Sequence, residues 1–104
     1  MTAGNLVMVR VYFNEGDRSN KESLAQKLIK ELHDQHLVTG ATMQRALAGF
    51  GSHDTIHEAT ILHPETKLPL ILEFFDTQDR VSAAIEHIKK LDSLVIISWP
   101  IQIH

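Results

Sequence analysis

Two apolar stripes at helical spacing, set among strand-like runs in the order strand, helix, strands, helix, strand, predict an α+β fold: a ferredoxin-like sandwich with both helices on one sheet face. Three observations carry this reading. The runs are rich in β-branched and aromatic residues, Gly, Pro, Asn and Asp punctuate them, and a chain of 104 residues has room for one such unit. The expected layout is βαββαβ with an extra strand in the loop region, one domain over residues 1–104.

The first strand is Leu6 to Phe13, with Val7, Val9, Val11 and Phe13 on one face and Leu6, Met8, Arg10 and Tyr12 on the other. Asn14-Glu-Gly-Asp17 supplies turn chemistry. Ser19 followed by Glu22 fits a capping box, in which two side chains satisfy free backbone donors at a helix start. Leu24, Leu28 and Leu32, with Ala25 and Ile29 beside them, form the core stripe of a helix running to about His36.

Ala41 to Ala48 reads as the second strand and ends at Gly49-Phe-Gly-Ser52. Ile56 to His63 is a third, weaker strand, followed by a turn over Pro64 to Lys67. Leu68 to Phe75 is strongly apolar, and Asp76 or Thr77 can cap the next helix. That helix carries a stripe of Val81, Ala84, Ile85, Ile88 and Leu91. Leu94 to Trp99 is the last strand, with Pro100 marking a break or a sheet edge.

One pattern does not suit a lone domain. With both helices on one face, the other face of an antiparallel sheet reads polar at alternate positions. Here Leu6, Met8 and Tyr12 oppose the valines of the first strand, and Leu70 to Phe75 is apolar on both sides except at Glu73. Such a surface needs a cover, and a further copy of the chain is the simplest one.

Composition narrows the function classes. Net charge is −3, with no sustained basic field, so nucleic acid is not expected as a partner. The chain has no cysteine, which excludes disulfides, zinc–thiolate sites and thiol catalysis. No apolar run approaches the roughly 20 residues of a membrane-spanning helix, and Met1 to Asn5 lacks signal-peptide character, so the expectation is a cytoplasmic protein.

Gly40-Ala-Thr42, Arg45, Gly49-Phe-Gly51 and Ile56-His57 follow one another as in the family called domain of unknown function 190, and Asp17-Arg18 and Pro69 to Asp76 match as well. The chain resembles that family from about Leu6 to Ile97, and the family is similar to the PII signalling proteins. The resemblance implies a PII-like homotrimer with ligand sites between subunits. It also implies an adenine nucleotide or other small anion as ligand, and a regulated partner such as a membrane transporter. Three departures stand out. The loop after Gly51 is short and lacks a tyrosine, Leu91-Asp-Ser-Leu94 replaces a glycine-rich, lysine-bearing loop, and Ile101 to His104 replaces a basic tail. A nucleotide with few phosphates, or another small anion, fits these departures better than ATP held in the PII manner.

The candidate ligand-binding residues are Arg45, Gly49, Phe50, Gly51, Ser52, His53, His57 and Glu73. Two glycines let backbone N–H groups approach an anion, and Arg45 offers a planar, two-pronged donor to phosphate or carboxylate. The same stretch is also what an ordinary turn between strands looks like. His53 and His57 titrate near neutral pH and can tune affinity; a metal can also draw on such a pair, as in the cation-tolerance proteins, a second PII-like trimer group. The alternative function is therefore a divalent-metal-binding trimer. Glu73 in an apolar strand needs a partner, and Arg45 and Arg10 are the candidates. His33 and His36 read as helix-end residues, and Trp99 as interface packing or a platform on which a base stacks. Ser52 beside His53 does not orient a nucleophile against a base, and Asp76 and Asp79 suit a helix start, so no enzyme is expected and no cofactor beyond a nucleotide ligand.

Overall fold

The computed structural model describes residues 5–50, 56–58 and 67–104, with His57 and Glu58 as backbone. β1 (Leu6–Asn14) leads through a short hairpin, β2 (Arg18–Ser19) and β3 (Glu22–Ser23), into helix α1 (Leu24–Asp34). β4 (Ala41–Arg45), β5 (Ala48–Gly49) and β6 (His57–Glu58) follow, then β7 (Pro69–Thr77), α2 (Gln78–Lys89) and β8 (Val95–Ile101). The main sheet has the order β4-β7-β1-β8, every neighbouring pair antiparallel. This is the ferredoxin-like α+β sandwich, with the added two-stranded β5–β6 ribbon in the connection between β4 and β7.

The core forms because three periodicities agree. β1 buries Val7, Val9, Val11 and Phe13, and β7 buries Leu70, Leu72 and Phe74 opposite them in register. α1 contributes Leu24, Leu28 and Leu32, and α2 contributes Val81, Ala84 and Ile88, at helical spacing. Ile85 and Leu91 pack against this cluster from its margin.

Several boundaries differ from expectation, each for a physical reason. Ser19 does not cap α1: it pairs with Glu22 across a hairpin whose turn residue Asn20 sits at φ 57°, and its buried hydroxyl donates to the Leu91 carbonyl at 3.2 Å. Ser23 takes the cap position instead, its Oγ accepting from the Gln26 N–H. α1 ends at Asp34 in a Schellman closure: His36 N–H donates to the His33 carbonyl and Leu37 N–H to the Leu32 carbonyl, with His36 at φ 52°. The long second strand breaks after Arg45, where Ala46 N–H turns to the Pro69 carbonyl, and Ala48–Gly49 joins the separate ribbon with His57–Glu58. The weak third strand is seen at residues 57–58; its remainder to residue 63 lies outside the described residues. Of the two readings of Pro100, a break or a sheet edge, the edge holds: β8 runs through it to Ile101 as an edge strand.

Candidate functional site

The helix-free face of the sheet is the feature everything else borders. Antiparallel register places Met8 opposite Phe75 and Trp99, Arg10 opposite Glu73 and Ile97, and Tyr12 opposite Ile71 and Val95. Phe75, Val95, Ile97 and Trp99 are 39%, 63%, 42% and 36% exposed, so a broad apolar surface meets solvent across the sheet. At its centre Arg10 Nε donates to Glu73 Oε2 at 2.8 Å, and the guanidinium carbon lies 5.3 Å from the Trp99 ring centroid. Hydrogen bonds from the guanidinium to Glu73, and then to Tyr12, raise the Arg10 pKa further above its ordinary value. Glu73 therefore takes Arg10 as its partner, not Arg45.

Arg45 is on the other face. It pairs with Leu70, whose side chain points into the core, and its own side chain turns to the end of β1. There Arg45 Nε and Nη2 meet the two oxygens of Glu15 at 2.8 and 3.2 Å. Glu15 Oε1 also accepts the Leu68 N–H at 2.9 Å. That backbone donor, followed by Arg45, outweighs partial desolvation and holds the Glu15 carboxyl below the usual range. The fork thus ties β1, β4 and the start of β7 together. Arg45 remains half exposed, and among the described residues its side chain donates to Glu15 alone, so a planar donor faces an incoming anion.

Gly49 follows four residues on and pairs with His57 across the ribbon. Its lack of a side chain has a packing cause: an added Cβ would lie 2.9 Å from the Pro69 ring. Its φ is not positive, so close approach rather than left-handed backbone requires glycine here. Phe50 is 68% exposed beside it. Gly51, Ser52 and His53 lie outside the described residues.

Along the same edge strand a cleft of about 380 Å³ is lined by Gly40, Thr42, Glu73, Phe75 and Asp76. Thr42 stands opposite Glu73 in register. Thr42 and Arg45 are three residues apart on β4, about 10 Å along a strand. The structure therefore brings Arg45, Gly49 and the His57 backbone to one end of β4 and places Glu73 at the other, with a sheet-edge cleft beside it.

Asp76 is the residue the sequence pattern undervalued. It is buried at 4% exposure, and Oδ2 accepts both the Thr39 N–H at 2.9 Å and the Thr39 hydroxyl at 3.0 Å. Oδ1 accepts the Thr77 N–H at 2.8 Å. Burial pushes this carboxyl upward, but the two backbone N–H donors, the Thr39 hydroxyl and Arg80 outweigh it, and the net shift is downward. Arg80 reinforces the node by donating to the His36 carbonyl at 2.8 Å. The wall of the cleft from Thr39 to Thr42 is thereby pinned to the end of β7. Of the two expected helix caps, Asp76 or Thr77, Thr77 takes the cap position, without a side-chain cap bond, while Asp76 belongs to β7. The one signal in the sequence was an aspartate directly after a buried apolar run, where an acid must find donors or stay neutral.

Among the described residues no three His, Asp or Glu side chains converge as a metal site. His33 Nδ1 lies 2.9 Å from its neighbour Asp34, and His87 Nε2 lies 3.1 Å from Glu31 across the two helices. No helix among the described residues is long and apolar enough to cross a membrane.

With the fold and edge geometry described, comparison with known proteins decides the family. The sequence pattern described as Uncharacterized ACR, domain of unknown function 190, matches residues 6–103. The chain belongs to this family. The UPF0166 protein of Aquifex aeolicus is 24% identical over 82 residues, covering 79% of this chain and 77% of that protein. The divalent ion tolerance protein CutA1 from Ehrlichia chaffeensis superposes with a TM-score of 0.63 at 18% identity, covering 99% and 87% of the two chains. The CPII protein of Thiomonas intermedia K12, in a structure bound to ADP and bicarbonate, gives a TM-score of 0.58 at 22% identity, covering 95% and 88%. At these identities the shared property is the PII-like fold, which this family member has.

Proposed function

We propose that this chain is a PII-like regulatory module: a homotrimer that binds a small anionic metabolite, an adenine nucleotide such as ADP or an anion such as bicarbonate, in clefts between subunits. Binding, not turnover, is its output, read by a partner protein such as a membrane transporter. The observation that carries this reading is the open sheet face, apolar around the Arg10–Glu73 pair and bordered by the edge strand that bears Thr42 and Arg45. A second copy laid on that face removes its apolar side chains from water and makes the cleft beside β4 a seam between subunits. Apolar and hydroxyl-bearing walls at Thr42 and Phe75 suit a base, and Arg45 beside Gly49 suits an anionic group farther along the strand. The ligands of the CPII structure supply the first probes.

Light scattering on the eluting protein and calorimetry with ADP and bicarbonate test the proposal together. The expected result is a trimer at micromolar concentration that binds ADP, with affinity lowered about tenfold by Arg45→Gln, the loss of one charge-assisted contact. A stable monomer, or a trimer silent to both ligands, overturns it. The divalent-metal alternative has the fold shared with the ion tolerance protein in its favour. It requires metal affinity that falls with His53→Ala and His57→Ala.

A further inference from the structure

The chain is acidic overall, yet one surface gathers cations. A shallow groove of about 510 Å³ is lined by Arg18, Lys21, Lys27 and Lys30, with Ser23, Gln26 and a single carboxylate, Glu22. It lies on the β2–β3 hairpin and the outer side of α1, apart from β4 and from the open sheet face.

The groove is built rather than incidental. The hairpin that carries Arg18 and Lys21 is anchored by the buried Ser19 hydroxyl on the Leu91 carbonyl, by the Leu24 N–H on the Asp17 carbonyl, and by its own Arg18–Ser23 and Ser19–Glu22 pairs. Asn20 takes the left-handed turn position, and the Arg18 guanidinium donates to the Lys21 carbonyl, so the two cations are held on one short, fixed loop. Lys27 is committed: it bridges Glu22 at 3.5 Å and Glu31 at 3.3 Å. Lys21 and Lys30 are exposed and, among the described residues, neither forms an ion pair.

We infer that this groove docks an acidic segment of a partner protein. Its form favours that occupant over a compact anion. Four cations line the groove, and Arg18, Lys21 and Lys30 lie open to solvent, where a single small anion is weakly held. An extended chain with several carboxylates meets all of them at once, and the pairing would steer the encounter as well as hold it. The inference names the chemistry of the partner in the proposed regulatory role. Its test is run without metabolite, so failure of the ligand site and failure of the groove are told apart.

The probe is fluorescently labelled hexaglutamate, followed by anisotropy at low salt. Wild-type protein is expected to bind it, with affinity falling steeply as salt is added. Lys21→Gln with Lys30→Gln is expected to weaken binding about tenfold, because two exposed ion pairs are lost. Lys89→Gln with Lys90→Gln, which removes two cations at the end of α2, is expected to change it less than twofold. Absence of binding to the wild type overturns the inference, as does equal weakening by both double variants. Tripolyphosphate binding at the groove without hexaglutamate binding overturns the choice of a protein segment. Both double variants replace exposed side chains, and an unchanged far-ultraviolet dichroism spectrum confirms that each folds.

Discussion

Replacing Asp76 tests whether the cleft wall is held as the structure describes. Asp76→Ala removes the acceptor from three donors, the N–H groups of Thr39 and Thr77 and the Thr39 hydroxyl. A hydrogen bond to a charged acceptor is worth about 1.5–3 kcal/mol net, and an orphaned, partly buried donor costs about 1–3. Thr39 is exposed enough for water to replace part of what it loses, so the sum is discounted to about 3 kcal/mol. For a domain of this size that lowers Tm by roughly 12–20 °C at fixed protein concentration. Asp76→Asn keeps one carbonyl acceptor and the volume but loses the charge, and should cost about half as much.

The pH dependence supplies the sign. The folded Asp76 pKa lies below its unfolded value, so its stabilisation is fully present above the unfolded carboxyl pKa, near 4, and is lost as pH falls through the folded value. The gap between wild type and Asp76→Asn in urea midpoint should therefore be widest near neutrality and close as pH falls below the unfolded carboxyl value and through the folded one. An Asp76→Ala protein within about 0.5 kcal/mol of wild type, or a gap independent of pH, would refute the reasoning.

Three further outcomes follow from the same geometry. Gly49→Ala brings a methyl to 2.9 Å from the Pro69 ring, so it should destabilise by about 1–3 kcal/mol or displace the β5–β6 ribbon, read by denaturation and by proteolysis of the loop. Ile97→Lys places a charge on the open face opposite Arg10, and should convert the assembly to monomers in light scattering while leaving the secondary-structure spectrum intact. Glu31 has its pKa lowered first by His87 and then by Lys27, so stability from this inter-helix contact is present above about pH 4 and lost on acidification. Glu31→Gln should therefore lower Tm near neutrality and leave it unchanged in strong acid.

Much of the fold is legible in the sequence because side-chain period and backbone geometry agree over long stretches. The alternation of Val7, Val9, Val11 and Phe13, and the leucine stripe of α1, each admit one reading, and the register of β7 follows from its own apolar run. The open face was legible for the same reason, since Met8 and Tyr12 interrupt the expected polar alternation. What was not legible is where a polar side chain spends its hydrogen bonds. Ser19 has a capping-box spacing, yet its hydroxyl goes to Leu91, 72 residues away, and the cap passes to Ser23. Glu73 had two arginines within reach of the sequence argument, and only strand register, which sets Arg10 directly across from it, separates them. Asp76 and Thr77 were equal candidates for the helix cap, because local spacing cannot show that Thr39, in the loop after α1, supplies two of the three donors to Asp76.

These misreadings share a cause that bears on the site itself. Local spacing assigns polar groups to their neighbours in sequence, whereas a ferredoxin-like sheet carries β1 between β7 and β8 and sets β4 at the edge. Long-range partners then claim the charged residues: Glu15 takes Arg45, and Arg10 takes Glu73. Each pair leaves its arginine partly exposed, at 49% for Arg45 and 41% for Arg10. A buried pair would be locked by the cost of separating its charges, but a half-exposed one exchanges partners at little cost. Under the proposed assembly, covering the sheet face with another subunit would change that balance for Arg10, whose desolvated pair with Glu73 would become a fixed element of the interface. In the proposed assembly Arg45, on the other face, would stay free to trade Glu15 for an arriving anion. The same two residue types, placed on opposite faces of one sheet, would then serve assembly on one side and the proposed binding on the other.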